Sequence, residues 1–298
     1  MPLWQVVLLA IVQGLTELLP VSSSAHVIVT AKLLHQSMST PANALLLVLL
    51  HTGTMFAVIV YFWRRWVDEF FSSWATFFQF VKLIFVASFL SGVVGYPIIL
   101  MVERILGHGG RRAEIEALFD KLDWIAPALA AAGLLILYAG LREARRPETD
   151  RQEGRRGIQW PHAVLMGILQ GFAIPFRGFS RSGSTISGGL LAGGTRSEIE
   201  SFSFAMAVAI TPLAIGREAL RVLHSARLAE VAVPWSTTLT PGLLGMACAF
   251  VAGLLALRWL SRWLEQGRWH WFGVYCLAAA ALIEWLSFRA EFFVPLGH

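Results

Sequence analysis

Gln13-Gly14-Leu15-Thr16-Glu17-Leu18-Leu19-Pro20-Val21-Ser22-Ser23-Ser24-Ala25-His26 interrupts an apolar run that otherwise extends from Leu3 to Leu34. The apolar part ahead of it, Leu3 to Val12, is half the length of the roughly 20 residues that cross a bilayer as a helix. A carboxylate, a proline, three serines and a histidine come next, and then a second apolar half. Polar backbone at membrane depth is tolerated only where protein or a wet cavity surrounds it, so 3–34 reads as a re-entrant hairpin. Ser23-Ser24-Ala25 resembles a signal-peptide cleavage site, but no Lys or Arg precedes the run and Glu17 interrupts it, which favours a retained hairpin.

A second stretch, 161–194, repeats the pattern. Leu165-Met166-Gly167-Ile168-Leu169-Gln170-Gly171 lines up with Leu8-Leu9-Ala10-Ile11-Val12-Gln13-Gly14, and both stretches then pass a proline into a serine-rich turn. Corresponding broken segments in two halves point to an inverted repeat with a site near the midplane.

The composition agrees. Of 298 residues, 56% are hydrophobic and 14% charged, with a mean hydropathy of +0.62. Soluble domains carry about 25% charged residues, so a soluble enzyme, a disordered chain and a disulfide scaffold are excluded. Cys248 and Cys276 lie in apolar segments and read as small buried side chains. A net charge of +5 reflects retained cytoplasmic loops, not nucleic-acid binding. Six further segments read as full spans, at 42–63, 80–102, 124–141, 199–216, 240–260 and 270–288, with Trp and Tyr at several ends. The fold expected is therefore all-α and polytopic, with six transmembrane helices and two re-entrant hairpins. It forms a single membrane domain over 1–298, with halves 1–141 and 158–288 joined by a loop at 142–157. Three spans between the hairpins make them enter from opposite faces. Arg64, Arg65, Arg142, Arg145, Arg146, Arg151, Arg155 and Arg156 mark the face of the second hairpin as cytoplasmic, which puts both termini outside.

The chemistry is concentrated in the two breaks. Gln13 and Glu17 share a helix face, Pro20 ends that helix, and Ser22, Ser23 and Ser24 are N-cap residues for the next, with His26 just beyond. A helix start presents free N–H groups and the positive end of its dipole to an anion. Serines that only cap, beside a core histidine, are the plain alternative; Glu17 and His26 together inside the membrane favour a working site, because ionisable groups are costly there. In the second break, Arg177, Gly178, Ser180, Arg181, Ser182, Gly183, Ser184 and Thr185 combine flexible backbone, hydroxyls and guanidinium, suited to cradling phosphate. A positive-inside role is the alternative for Arg181, and interhelical hydrogen bonding for Ser184 and Ser187. Hairpins meeting tip to tip would bring Glu17, Ser23 and His26 to Ser180 and Arg181, a set adequate for phosphoryl transfer, to which a divalent ion on Glu17 and Gln13 would add charge neutralisation. His51 is a weaker candidate for lining the site, Arg217 and Glu218 read as interfacial, and Glu284 is undecided between a structural and an interface role.

The two motifs, 13–26 and 178–189, resemble the signature motifs of bacterial undecaprenyl-diphosphate phosphatases of the bacitracin-resistance type, and the likeness runs along the whole chain, including Tyr61-Phe62-Trp63-Arg64-Arg65. It implies a bacterial inner-membrane enzyme that removes the terminal phosphate of a C55 polyprenyl diphosphate, recycling the lipid carrier of cell-wall synthesis. It also implies dependence on Mg²⁺ or Ca²⁺ and a pocket open to the periplasm. By this likeness Gln13 and Glu17 form the acidic motif, Ser23 and His26 the serine–histidine pair, and Ser180, Arg181 and Thr185 the arginine motif. Two residues depart from the pattern: Gln13 where many relatives carry Glu, and Arg177 where Pro is common. In this reading Ser23 attacks or orients water, His26 moves the proton, Glu17 orients His26 or holds metal, and Arg181 clamps phosphate. The partners are the polyprenyl diphosphate and membrane lipid, with a homodimer left open and nucleic acid excluded. The rival is a secondary transporter or lipid flippase on the same architecture. Acid-phosphatase-like lipid phosphatases fit poorly, because no histidine follows Arg181 before His224.

Overall fold

The computed structural model describes residues 1–36, 41–106, 122–146, 157–228 and 235–293, and among these every regular element is helical. Residues 107–121 and the loop arginines Arg151, Arg155 and Arg156 lie outside the described residues, as does the side chain of Glu218. The first half runs α1 (Leu3–Leu18), α2 (Ser23–Leu33), α3 (Pro41–Phe70), α4 (Trp74–Leu106) and α5 (Leu122–Ala144). The second runs α6 (Trp160–Ala173), α7 (Arg181–Leu191), α8 (Arg196–Leu228), α9 (Trp235–Glu265) and α10 (Trp269–Phe293). Each half is thus a broken pair of short helices followed by three long ones. Among the described residues six helices are long and apolar enough to cross a membrane, and the chain is a multi-pass membrane protein. Their apolar stretches, such as Asn43–Phe70 and Trp74–Val102, run several residues past the expected bounds. The added turns carry Trp66, Trp74 and Phe78, side chains that suit a span's interfacial end.

Pro20 explains the first break. It disfavours the helical conformation of the residue before it, and Leu19 is extended at φ −71°, ψ 150°. The chain re-enters helix through Ser22 at φ 65°; its counterpart before α7 is Ser180 at φ 37°. The two breaks therefore correspond by their N-caps, Ser22 with Ser180, one residue out of register with the pairing of Gln13 with Gln170.

The halves exchange partners. α1 packs on α9 of the other half, α6 packs on α4, the third spans α5 and α10 pair, and so do the first spans α3 and α8. Glycines allow the close approaches, as small residues do between helices in lipid. A Cβ on Gly14 would lie 2.6 Å from Ala249 O in α9, and one on Gly171 would lie 3.0 Å from Ser91 O in α4. A Cβ on Gly53 would press closer still, against Met246 O of α9. Ser91 Oγ donates to Gly167 O at 2.9 Å and receives Gln170 Nε2 at 3.2 Å, tying α4 to α6 through the repeat's own glutamine. About three to four turns along α3 from His51, Tyr61 donates to Ser261, Ser261 to Glu200 at 2.6 Å, and Trp66 Nε1 to Ser201 O. This buried polar network fastens α3 to α8 and α9.

Overpacking a close crossing costs about 1–3 kcal/mol. Gly53→Val and Gly171→Leu are therefore expected to lower the unfolding midpoint of the detergent-purified protein by several degrees. Gly92→Ala, where an added methyl meets nothing within 4 Å, is expected to leave the midpoint unchanged or raise it.

Candidate active site

Glu17, one residue before the end of α1, is the centre of the constellation. Ser23, the first residue of α2, donates its hydroxyl to Glu17 Oε2 at 2.6 Å. Arg181, the first residue of α7, donates from NH2 to Glu17 Oε1 at 3.0 Å. Gln13 Nε2 reaches Glu17 Oε2 at 3.2 Å from one turn earlier. Glu17 is 16% exposed and Arg181 29%, so the ion pair is largely withdrawn from solvent yet opens on one side. That side is a cavity of about 170 Å³. Its polar wall is built by Ser22, Ser23 and Ser24 from the first break and Arg177, Ser180 and Ser182 from the second; Leu19, Ile174 and Phe176 form its apolar side. Ser182 Oγ donates to Leu19 O at 3.2 Å, a direct bond between the two hairpin tips.

The local backbone explains why these groups are available. Ser22 sits at the N-cap of α2 yet makes no side-chain capping bond; its hydroxyl pairs with Ser24 Oγ at 3.2 Å. The first turn of α2 therefore points uncapped N–H groups toward the cavity, the arrangement that receives an anion. In α7 the Ser180 hydroxyl does cap, accepting from Gly183 N at 3.2 Å. Gly178 needs glycine on two counts, with φ 110° and an added Cβ only 2.5 Å from Ile125 O. Arg181 is steadied on its other side by Thr211 Oγ1 at 3.4 Å.

Several expected site residues stand elsewhere. His26 does not bond Ser23 or Glu17. Its Nδ1 lies 2.8 Å from Ser22 O, an acceptor only, so this nitrogen carries the proton and Nε2 accepts from the Tyr275 hydroxyl at 2.7 Å. The His26 ring stacks on Tyr275 of α10, with centroids 5.8 Å apart. His26 lies nearly one turn beyond Ser23 along α2, and its ring meets α10 there. Gly183 and Thr185 do not line the cavity either. An added Cβ on Gly183 would meet Ile136 Cδ1 at 2.7 Å, and Thr185, 1% exposed, bonds Arg181 O and Ser203 Oγ. Both are packing residues that hold α7 against α5 and α8. Ser187 accepts from Trp269 Nε1 at 3.0 Å, the interhelical bond expected of it, whereas Ser184 bonds its own helix at Arg181 O.

His51 takes the place beside the carboxylate, with Nε2 3.7 Å from Glu17 Oε2 while Nδ1 donates to Leu47 O at 2.8 Å. Thr211 and Tyr275 were not singled out from the sequence. Thr211 precedes a proline inside an apolar span, and Tyr275 looks like one more interfacial aromatic; neither carries a local signal of its contact.

For a divalent cation the donors are few. Among the described residues no group of three His, Cys, Asp or Glu side chains gathers, and the cavity holds a single carboxylate. Mg²⁺ commonly rests on one or two carboxylates and completes its shell with water and substrate phosphate. The donors Glu17 and Gln13 fit a cation that arrives with a diphosphate, not one caged by protein alone.

The chain has relatives among known proteins over nearly its whole length. An undecaprenyl-diphosphatase 2 of Acinetobacter baylyi is 46% identical over 290 residues, covering 96% of this chain and 99% of that protein. An undecaprenyl-diphosphatase of Rhodopirellula baltica is 31% identical, covering 96% and 98%. An undecaprenyl-diphosphatase 2 of Burkholderia thailandensis is 32% identical, covering 98% and 99%. The family described as bacitracin resistance protein BacA matches residues 6–282, and the chain belongs to that family.

Proposed function

We propose that this protein is a membrane phosphatase that hydrolyses undecaprenyl diphosphate to undecaprenyl phosphate and inorganic phosphate. The observation that carries it is the junction of Ser23, Glu17 and Arg181 at one small cavity. A hydroxyl held at 2.6 Å by a carboxylate is a nucleophile beside its base. A guanidinium and the open start of α2 face the same space, where negative charge develops on phosphate oxygens. The names of the relatives support hydrolysis, and nothing favours the transporter reading.

In the step this geometry serves best, Ser23 Oγ attacks the terminal phosphorus as its proton passes to Glu17. The bond from that phosphorus to the bridging oxygen breaks, and undecaprenyl phosphate leaves with the bridging oxygen. The proton on Glu17 passes to the departing undecaprenyl phosphate; Glu17 then takes a proton from the water that attacks the phosphoserine and returns it to Ser23 Oγ as phosphate leaves. Direct attack by water oriented by Ser23 uses the same groups and gives the same products. Arg181 holds the terminal phosphate, Arg177 meets the diphosphate at the rim, and Ser22, Ser24, Gly178, Ser180 and Ser182 shape the cradle. Gln13 and Glu17 are the residues that would hold Mg²⁺ or Ca²⁺, which neutralises phosphate charge when bound. His26 anchors the first turn of α2 through Ser22 O and Tyr275, keeping Ser23 in place. The two helix pairs act as re-entrant hairpins of a bacterial inner-membrane protein, with the cavity opening toward the periplasm and the lipid tail lying along the apolar side.

Phosphate release from farnesyl or undecaprenyl diphosphate in detergent tests the assignment. Ser23→Ala, Glu17→Gln and Arg181→Ala are each expected to lower kcat by about 10²-fold or more. Near-wild-type turnover in Arg181→Ala would place the site elsewhere. His26→Ala is expected to cost less than Ser23→Ala and to be matched by Tyr275→Phe. A His26→Ala loss as deep as that of Ser23→Ala, with Tyr275→Phe unaffected, would restore the histidine to direct proton transfer. A phosphoserine trapped at Ser23 after acid quench would separate the covalent route from direct water attack.

A further inference from the structure

A second concavity lies away from the Glu17 site. It measures about 560 Å³ and lies along the outer face of the last turns of α9, closed by the turn into α10. Leu255, Arg258, Trp259, Arg262 and Trp263 recur at helical spacing along this face, while Ala256, Leu257, Leu260 and Leu264 are buried on the opposite one. Arg268 completes the rim from the turn, where Gly267 adopts φ 71°. α9 packs on α3 and α1 whereas α10 packs on α5, and the lining face of α9 lies outside these contacts, with Leu255 and Trp259 exposed.

The chemistry of the lining is specific. Three guanidiniums converge, and among the described residues none of the three has an ion pair or a hydrogen bond to a side chain. The neighbouring arginine is already committed: Arg196 donates to Glu143 Oε1 at 3.1 Å and to Glu265 O at 2.7 Å. The indoles of Trp259 and Trp263 meet edge to face at 5.2 Å, and Trp263 leans on Phe272 of α10 at 5.4 Å, giving the groove a firm aromatic floor. The apolar span ends at Glu265, so the arginines stand at the level of lipid phosphates and Leu255 stands one or two turns deeper, at the level of acyl chains. Arginine forks suit phosphate, and basic pockets between spans bind acidic lipid heads.

We infer that this groove is a binding site for the headgroup of an anionic glycerophospholipid, with Arg258, Arg262 and Arg268 on its phosphate and Trp259 and Trp263 against its glycerol and upper acyl carbons. The site is separate from the diphosphate cavity and does not depend on the reaction proposed there.

The test is lipid binding to the full-length protein in detergent, measured by native mass spectrometry and by the shift in unfolding midpoint. The probes are phosphatidylglycerol, phosphatidylcholine and inorganic phosphate alone. Phosphatidylglycerol is expected to bind and to raise the midpoint, with phosphatidylcholine and inorganic phosphate doing neither. Each arginine changed to glutamine is expected to weaken phosphatidylglycerol binding by about fivefold, with diphosphate hydrolysis unchanged. Should the triple variant fail to fold, Arg262→Gln and Trp259→Ala alone carry the comparison. Equal binding of the two phospholipids, or of wild type and variants, would overturn the proposal. A shift reproduced by inorganic phosphate would reduce the groove to a bare anion site and overturn the lipid assignment.

Discussion

The Glu17 carboxylate, set inside an apolar bundle, imposes the terms on which the rest of the molecule is built. Glu17 is largely withdrawn from solvent, and its charge is costly there without a partner. Its partner, Arg181, comes from the other half of the chain, 164 residues away in sequence. The two hairpins must therefore meet at their tips, and the bond from Ser182 to Leu19 O lies beside that meeting point. The three spans that separate the hairpins in sequence are what allow the tips to face each other. Charge compensation in the core and assembly of a reactive site are here the same contact.

The exchange of partners between halves stems from that requirement. With α1 on α9 and α6 on α4, neither hairpin rests on its own half alone. The glycines at Gly14 and Gly171 permit the approach symmetrically, but the two hairpins have not stayed equivalent. In the first, the side chain one turn beyond the repeated glutamine is Glu17; at the matching position of the second stands Ile174, which lines the apolar wall of the cavity. One half supplies the carboxylate and the hydroxyl, the other the guanidinium and most of the apolar wall.

Much of this was legible before the structure. The two broken stretches, the six spans and the proximity of Glu17, Ser23 and Arg181 can all be read from where polar residues interrupt apolar ones. What escaped was phase and partnership. Gln13 and Glu17 lie on one continuous helix, so their shared face could be read directly; His26 lies across a proline break, where the rotation of the new helix depends on Ser22 at φ 65°. His51 reaches Glu17 from a different span, and no local pattern distinguishes a histidine that crosses to a neighbour from one that caps its own carbonyl. Gly183 and Thr185 looked like cradle residues because small and hydroxylated side chains serve phosphate and tight helix packing equally well. Only the positions of α5 and α8 separate the two uses.

The last long helix bears on the first break in two places. Cys276 donates to Pro20 O at 3.2 Å, and Tyr275 donates to His26. Those contacts join residues 256 and 249 apart in sequence. The Glu17 carboxylate is paired only once the second hairpin is in place, and the proline turn is braced only once α10 is. A chain lacking α10 would hold every residue that lines the cavity and still lack both contacts behind the first break. The walls of the cavity and the brace behind them are encoded in separate parts of the chain.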